Sequence, residues 1–288
     1  MANLKKVNKS ADMGAEETLN EDTLDDVKQS VDRGITLADD EDACVEFELP
    51  CGYKDADGVM QKTFTVREMT GRDEEAISKP EIKQNTSKVI GVLLSRCVLT
   101  LGTLEKKDYS PQEWHKIMLS LYTGDQDYIV MQIRKISIGD TIEVQHTCPN
   151  CGAKLNTELA IDELSVVPFS GNELVPFSLS RGYRDRKGTV HTEGTIRLAN
   201  GLDREILTPL AKKNLARANT VLLTRLCKFT DGTLVDEDAM ASLTSKDREY
   251  LNTLLQDNTF GYDLRVSVDC TECGESFDGS LNMVNFLK

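Results

Sequence analysis

Leu49-Pro-Cys-Gly-Tyr-Lys-Asp-Ala-Asp-Gly58 is written again, 130 positions later, as Leu179-Ser-Arg-Gly-Tyr-Arg-Asp-Arg-Lys-Gly188. The register continues through Thr65-Val66-Arg67 and Thr195-Ile196-Arg197, then through Gly71-Arg72-Asp73 and Gly201-Leu202-Asp203. Slipped by one residue, Leu93-Leu94-Ser95-Arg96 matches Leu222-Leu223-Thr224-Arg225; back at 130, Gly102-Thr103-Leu104 matches Gly232-Thr233-Leu234. A third block aligns Asp125, Tyr128 and Gly139 with Asp247, Tyr250 and Gly261 at a spacing of 122. Self-similarity of this length reads as an internal duplication. The change of spacing puts an eight-residue excess in the first copy, between Glu105 and Tyr122.

Each copy has one plan. Gly-Tyr-x-Asp-x-x-Gly carries the glycine and aspartate chemistry of a turn between extended segments, so it predicts a β-hairpin with return strands at Thr65–Met69 and Thr195–Ala199. Two helices are expected to follow. The first carries Val89, Ile90, Leu93, Leu94, Cys97 and Leu101 in repeat 1, and Val221, Leu222, Leu226 and Phe229 in repeat 2. The second opens at Thr123 or Ser245, with Asp125 or Asp247 near its positive end, and stops at Gly139 or Gly261. Ser110-Pro111-Gln112-Glu113 is a capping box with proline at the first helical position, so the excess predicts an added helix with Trp114, Ile117, Met118 and Leu121. Arg96 and Arg225 should tie the apolar helix to an acidic neighbour.

Both copies close on a strand, a cysteine knuckle and a strand. The knuckles are Cys148-Pro-Asn-Cys151-Gly152 and Cys270-Thr-Glu-Cys273-Gly274. Alternating approaches lead in from Thr141–His146 and Asp263–Val268, and the closing strands lie near Lys154–Leu159 and Ser276–Leu281. A Cys-x-x-Cys turn supplies two thiolates, whereas a closed structural zinc site takes four at about 2.3 Å. The duplicated positions therefore predict one zinc held by Cys148, Cys151, Cys270 and Cys273 across a pseudo-twofold axis, structural because four thiolates leave no open position. The loss of one ligand should then be felt in both repeats. Two rivals stay open: redox dithiols, and knuckles that pair with another subunit. His146 is a spare donor, but its counterpart is Val268. Cys97 and Cys227 read as small buried hydrophobes.

The remaining chemistry is sparse. The histidines are His115, His146 and His191, none in a nucleophile motif, and no phosphate-binding loop or dinucleotide fingerprint occurs. His191 stands where repeat 1 has Gln61, which favours a hydrogen-bonding role. The expectation is a non-enzymatic protein with no small-molecule substrate. A net charge of −14 over 288 residues disfavours nucleic acid and anionic membranes as bulk partners. No run approaches the roughly 20 apolar residues of a membrane span, and the opening Met-Ala-Asn-Leu-Lys-Lys leads into acidic sequence, which suggests a cytoplasmic product.

The fold class expected is α+β: a duplicated unit of β-hairpin, helical pair and zinc-ribbon-like strand–knuckle–strand, preceded by a disordered acidic tail. Residues 1–43 form the tail, which holds half of the net charge. Leu24, Val27 and Val31 there are spaced for one face of a helix that a partner could stabilise. Repeat 1 spans 44–166, a linker 167–176, and repeat 2 177–288.

The residues also resemble a known family. Repeat 2, from Leu179 to Ala199 with Asp247-Arg-Glu-Tyr-Leu and Cys270-x-x-Cys, is similar to small tail-assembly proteins of contractile phages and phage-tail-like injection systems. Repeat 1, with Asp125-Gln-Asp-Tyr-Ile, Arg134-Lys-Ile-Ser-Ile-Gly139 and Cys148-Pro-Asn-Cys-Gly, resembles the T4-like baseplate hub assembly family. The likeness covers about residues 46–285. Ser180 and Arg181 depart from repeat 1, which has Pro50 and Cys51. The resemblance implies a part in tail or baseplate morphogenesis without enzymatic activity, with phage tail and baseplate proteins as partners. It places the protein in the host cytoplasm during assembly or in the virion baseplate. An assembly chaperone, a retained baseplate component and, from another class, a zinc-ribbon nucleic-acid binder are the readings carried forward.

Overall fold

The computed structural model describes residues 44–280 apart from 56, 186 and 232–234. The acidic tail, its Leu24–Val27–Val31 face and the Gly232-Thr233-Leu234 match lie outside the described residues. The protein is a mixture of helix and sheet.

The two hairpins stand where the repeated motif places them. Strand β1 (Cys44–Lys54) pairs antiparallel with β2 (Met60–Arg67), and the register shifts between Glu48 and Tyr53. The later pair, called β8 (Leu174–Arg184) and β9 (Val190–Arg197) in chain order, shifts between Ser178 and Tyr183. The return strands thus begin and end earlier than the sequence suggests. Each shift contains a glycine that no other residue could replace. A Cβ on Gly52 (φ +106°) would meet Gln61 O at 2.6 Å, and one on Gly182 (φ +67°) would meet His191 O at 2.2 Å. At the tips, the Asp55 carboxylate accepts the Asp57 and Val59 N–H groups, and Asp185 accepts those of Lys187 and Thr189. Strands β3 (Val98–Leu101) and β4 (Leu104–Glu105) extend the first sheet in the order β1-β2-β3-β4, and β10 (Cys227–Phe229) extends the second as β10-β9-β8.

Helices depart from expectation at three points. First, a helix follows each hairpin directly. In repeat 1 it is α1 (Gly71–Ser78), then α2 (Pro80–Lys83) and α3 (Thr86–Cys97). In repeat 2 it is α6 (Gly201–Lys213), ahead of α7 (Leu215–Leu226). Capping boxes Thr70/Asp73 and Asn200/Asp203 start them, although their apolar periodicity is weak. Pro80 heads α2 after an extended Lys79, whereas Pro209 stays inside α6. Second, the capping box at Ser110 does open α4 (Pro111–Ser120), but the helix is not an addition. Repeat 2 has a shorter one in its place, α8 (Glu237–Ser242). Third, α5 (Thr123–Ser137) and α9 (Ser245–Asp257) open at Thr123 and Ser245 as expected, but the cap positions are Tyr122, which makes no side-chain cap, and Thr244, whose hydroxyl accepts the Asp247 N–H. Gly139 (φ +124°) does follow α5, but α9 ends before Gly261, which starts β11 (Gly261–Tyr262).

Two apolar cores result. One gathers Phe64, Val66, Leu93, Leu94, Trp114 and Ile129; the other gathers Phe177, Ile196, Leu223, Phe229, Met240 and Leu251. Beside each lies the same ion triad. Asp73, fully buried, binds Arg67 (2.7 Å) and Arg96 (2.5 Å). Asp203 binds Arg197 (2.6 Å) and Arg225 (2.7 Å). The acidic neighbour expected for Arg96 and Arg225 is therefore the repeated aspartate at the head of the preceding helix. Cys97 and Cys227 are buried, as small hydrophobes would be.

Asp125 and Asp247, read from sequence as capping residues, do something further. Asp125 accepts the N–H groups of Cys51 and Gly52, and Asp247 those of Ser180, Arg181 and Gly182. Each carboxylate fastens a helix start to the strand irregularity of its own hairpin, satisfying amides that the register shift has freed.

These carboxylates titrate in opposite senses. Burial opposes charge on Asp73, Asp203 and Asp247, but hydrogen bonds outweigh it, from Arg67, Thr70 and Arg96, from Arg197, Asn200 and Arg225, and from the three strand amides respectively. All three are held below the ordinary aspartate value of 3.8. At Asp125 burial wins over two amide bonds and lifts the carboxyl to about 7. A depressed carboxylate stabilises the fold above its unfolded pKa, and that contribution disappears as pH falls through the folded value. A raised one contributes fully below the unfolded pKa and loses its contribution as pH rises through the folded value. Urea midpoints should therefore fall steeply below about pH 4. Between there and pH 7, Asp125→Asn should respond less to pH than the unaltered chain, and identical slopes would refute the assignment.

The repeats meet through a small apolar cluster of Cys51, Leu198 and Phe260, with Tyr122 edge-on to Phe260, and through polar contacts beside it. Thr123 N–H donates to Ala199 O (3.0 Å) and Gly201 N–H to Leu121 O (3.1 Å). Arg204 grips Asp127 at 2.6 and 2.8 Å, and a Cβ on Gly201 would lie 2.0 Å from Gln126 Nε2. Tyr262 of β11 stacks on Tyr128 at 5.3 Å, and Gln132 donates to its hydroxyl. Within the linker and its border, Val166–Val167 forms β7, paired with β11, and Leu174 to Pro176 already belong to β8.

Candidate metal centre

Two hairpins carry the cysteines. Strand β5 (Thr141–Thr147) pairs with β6 (Lys154–Ala160), and β12 (Arg265–Asp269) with β13 (Ser276–Ser280). In β5, Ile142, Val144 and His146 face inward in strict alternation, the pattern of a strand with one buried face. The knuckles at the hairpin tips have the same backbone. Cys148 N–H donates to Ala153 O and Gly152 N–H to Cys148 O; Cys270 N–H donates to Glu275 O and Gly274 N–H to Cys270 O. Gly152 and Gly274 both have φ +74°, which a β-carbon would strain.

The turns bring all four sulfurs together. Cys148 Sγ lies 3.7 Å from Cys273 Sγ, and Cys151 Sγ 3.6 Å from Cys270 Sγ. All four ligand atoms lie within 4.8 Å of one another. In each knuckle the first cysteine is buried and the second exposed. A tetrahedron with metal–sulfur bonds of about 2.3 Å has edges of about 3.8 Å, so the two close contacts already have the required length. Each of these contacts joins one knuckle to the other. The four cysteines predicted from sequence are thus gathered in one chain, in a set compatible with a metal ion.

The crowded thiols titrate unequally: despite the Ala153 amide, desolvation and the three other sulfurs push Cys151 up to about 12. Amide donors at the turn, first that of Cys151, draw the Cys148 thiol down from 9 to about 7. Asn150, which sequence reasoning passed over, aims its Nδ2 at Cys273 Sγ across the site (3.7 Å). Leu155, Val268, Ala153 and Phe277 pack around Cys148 and Cys270 in a small core of their own. The spare donor His146 is accounted for otherwise. Its buried ring lies against Gly279, where a Cβ would meet it at 2.7 Å, and it is not one of the four clustered ligands.

The other histidines also have local roles. His115 shares a hydrogen bond with Ser95 Oγ (2.7 Å) where α3 and α4 touch at Gly91. His191 bonds Asp231 through Nδ1 and lies 3.5 Å from Asp185 through Nε2; Asp231 is the main cause of its raised pKa. In repeat 1, Gln61 makes the corresponding bond to Asp55 (2.9 Å). A neutral amide does the same work there, which argues for positioning rather than chemistry.

Residues 44–181 match the family model described as T4 bacteriophage base plate protein. The match supports membership of a T4-like phage baseplate family. It covers the first hairpin, all of α1 to α5, the first knuckle with Cys148 and Cys151, and the start of the second hairpin; Cys270 and Cys273 lie beyond it. No curated protein and no solved structure matches the chain. No helix among the described residues is long and apolar enough to cross a membrane.

Proposed function

We propose that this baseplate-family protein is a non-enzymatic factor for assembly of the baseplate hub of a contractile tail, folded around one structural zinc. The observation that carries the zinc is the gathering of four sulfurs within 4.8 Å of one another. Four thiolates saturate a zinc ion and leave no position for substrate or water, so its contribution is to folding. Once acidified, the thiols take up protons and the ion is released.

The family match supports the baseplate role. Engagement of the buried carboxylates with arginines and backbone amides supports a non-enzymatic reading, because each is committed to holding two elements together. A second reading, a component retained in the finished particle, draws on the same match, since the family is described by the base plate itself. The acidic segment 1–43 favours the transient role: low hydrophobicity and high charge suit binding that is made and released. Host cytoplasm is the corresponding location, with phage tail and baseplate proteins as partners. Quantitative mass spectrometry of purified particles decides between the readings. An assembly factor should be substoichiometric or missing, and stoichiometric copies would overturn that role in favour of a retained component.

A further inference from the structure

A pseudo-twofold axis exchanges the two knuckles. It turns the contact of Cys148 with Cys273 (3.7 Å) into that of Cys270 with Cys151 (3.6 Å). The turn backbones obey it too, with matching hydrogen bonds and the same glycine φ of +74°. The side chains between the cysteines do not. Asn150 of the first knuckle reaches across to the second, its Nδ2 3.7 Å from Cys273 Sγ. The exchange puts Glu272 in the matching place, opposite Cys151. An amide has N–H groups to donate to sulfur, whereas a carboxylate offers only acceptors. Among the described residues, the side chains bonded to Cys151 Sγ are other cysteines.

This difference falls on the two ligands that solvent reaches. Cys148 and Cys270 are buried, and Cys151 and Cys273 are exposed, so exchange of a bound ion has to start at one of the exposed pair. A donor behind a metal ligand fixes its orientation and strengthens retention of the metal. We propose that Asn150 is a positioning residue that keeps Cys273 on the bound metal, and that Cys151, faced by Glu272, is the ligand that lets go first. The site is then symmetric in its ligands and one-sided in its exchange. The inference rests on the shared-zinc reading and specifies how that site gives its ion up.

Two measurements on the zinc-loaded, full-length chain test it. One is the rate of zinc transfer to a chromogenic chelator. The other is mass-spectrometric mapping of cysteines alkylated by iodoacetamide, in which the released sulfur displaces iodide. In the unaltered chain Cys151 should be alkylated several-fold faster than Cys273, although both are exposed. Asn150→Ala removes the donor without adding charge; transfer should speed up on the order of tenfold, and Cys273 should become as reactive as Cys151. Glu272→Asn writes the residue of the first knuckle into the second. It should slow transfer and protect Cys151, a gain that damage to the fold could not mimic, so misfolding of the alanine variant leaves this one to decide. The inference is overturned if Cys273 reacts as fast as Cys151 in the unaltered chain, or if neither variant changes the transfer rate. With one zinc bound per chain, either result removes the inference alone; a chain that takes up no zinc removes the shared-zinc reading as well.

Discussion

Cys270→Ser should lower hydrogen-exchange protection at the knuckle ends of β5–β6 and β12–β13 together, although only the second hairpin carries the substitution. Two-stranded hairpins are marginal in water by themselves. Ile142 and Val144 anchor the base of β5 in the larger core of repeat 1, but the knuckle ends rest on no more than Cys148, Leu155, Val268 and Cys270 with three flanking side chains. A bound zinc would supply what that end lacks. Zinc bound by small cysteine- and histidine-based domains contributes on the order of 10 kcal/mol of folding free energy, and the loss of one of four ligands removes a large share of it. The rest of the protein should hold. Its two apolar cores and the Arg204–Asp127 seam contain none of the four sulfurs, so amides of α3, α5 and α7 should stay protected. Removal of the metal by a chelator should reproduce the pattern. Retained protection in β5–β6 of the variant would mean that the hairpins do not share an ion.

Asp73→Asn should lower stability by about 3 kcal/mol, near the lower end for removing one partner of a buried ion pair because Arg96 is partly solvated. The carboxylate is fully buried and carries more than its charge. It binds both arginines, accepts the Thr70 N–H and closes the capping box of α1. An amide keeps the shape and one acceptor oxygen but leaves Arg67, only 12% exposed, with no carboxylate in the triad. Asp203→Asn should cost a similar amount, since the triad is the same, and somewhat less where Arg197 reaches water more easily. Denaturant titration measures both. A loss below about 1 kcal/mol at Asp73 would be the size of an exposed pair and would contradict the buried one.

Short-range patterns were legible in the sequence. The hairpin tips follow from Asp and Gly within a few residues, and the knuckles from Cys-x-x-Cys-Gly. Their meeting was legible only through the repeat, which turned a long intervening segment into a second copy. Asp125 and Asp247 show where such reading stops. An aspartate in the first turn of a helix looks alike whether it serves that turn or reaches a strand amide 74 residues away. The helices α1 and α6 had a readable signal in Thr70-x-x-Asp73 and Asn200-x-x-Asp203, but few apolar positions to support it. Arg204 with Asp127 and Tyr262 on Tyr128 are pairings of ordinary surface residue types, and no local pattern marks them. The sequence suggested a pseudo-twofold relation for the four cysteines, and the knuckles do meet through like surfaces, whereas the seam joins unlike ones.

The close contact of Cys151 with Cys270, 119 positions apart, has a topological consequence. An ion held there closes a ring that contains the linker and nearly all of repeat 2, with the body of repeat 1 outside it as an open strand. If the ion stays bound during unfolding, the freedom gained by the second half is that of a ring, a restriction worth about 5 kcal/mol for a loop of roughly this length. The two halves share similar internal contacts, yet one would refold as a closed circle and the other as a chain with a free end.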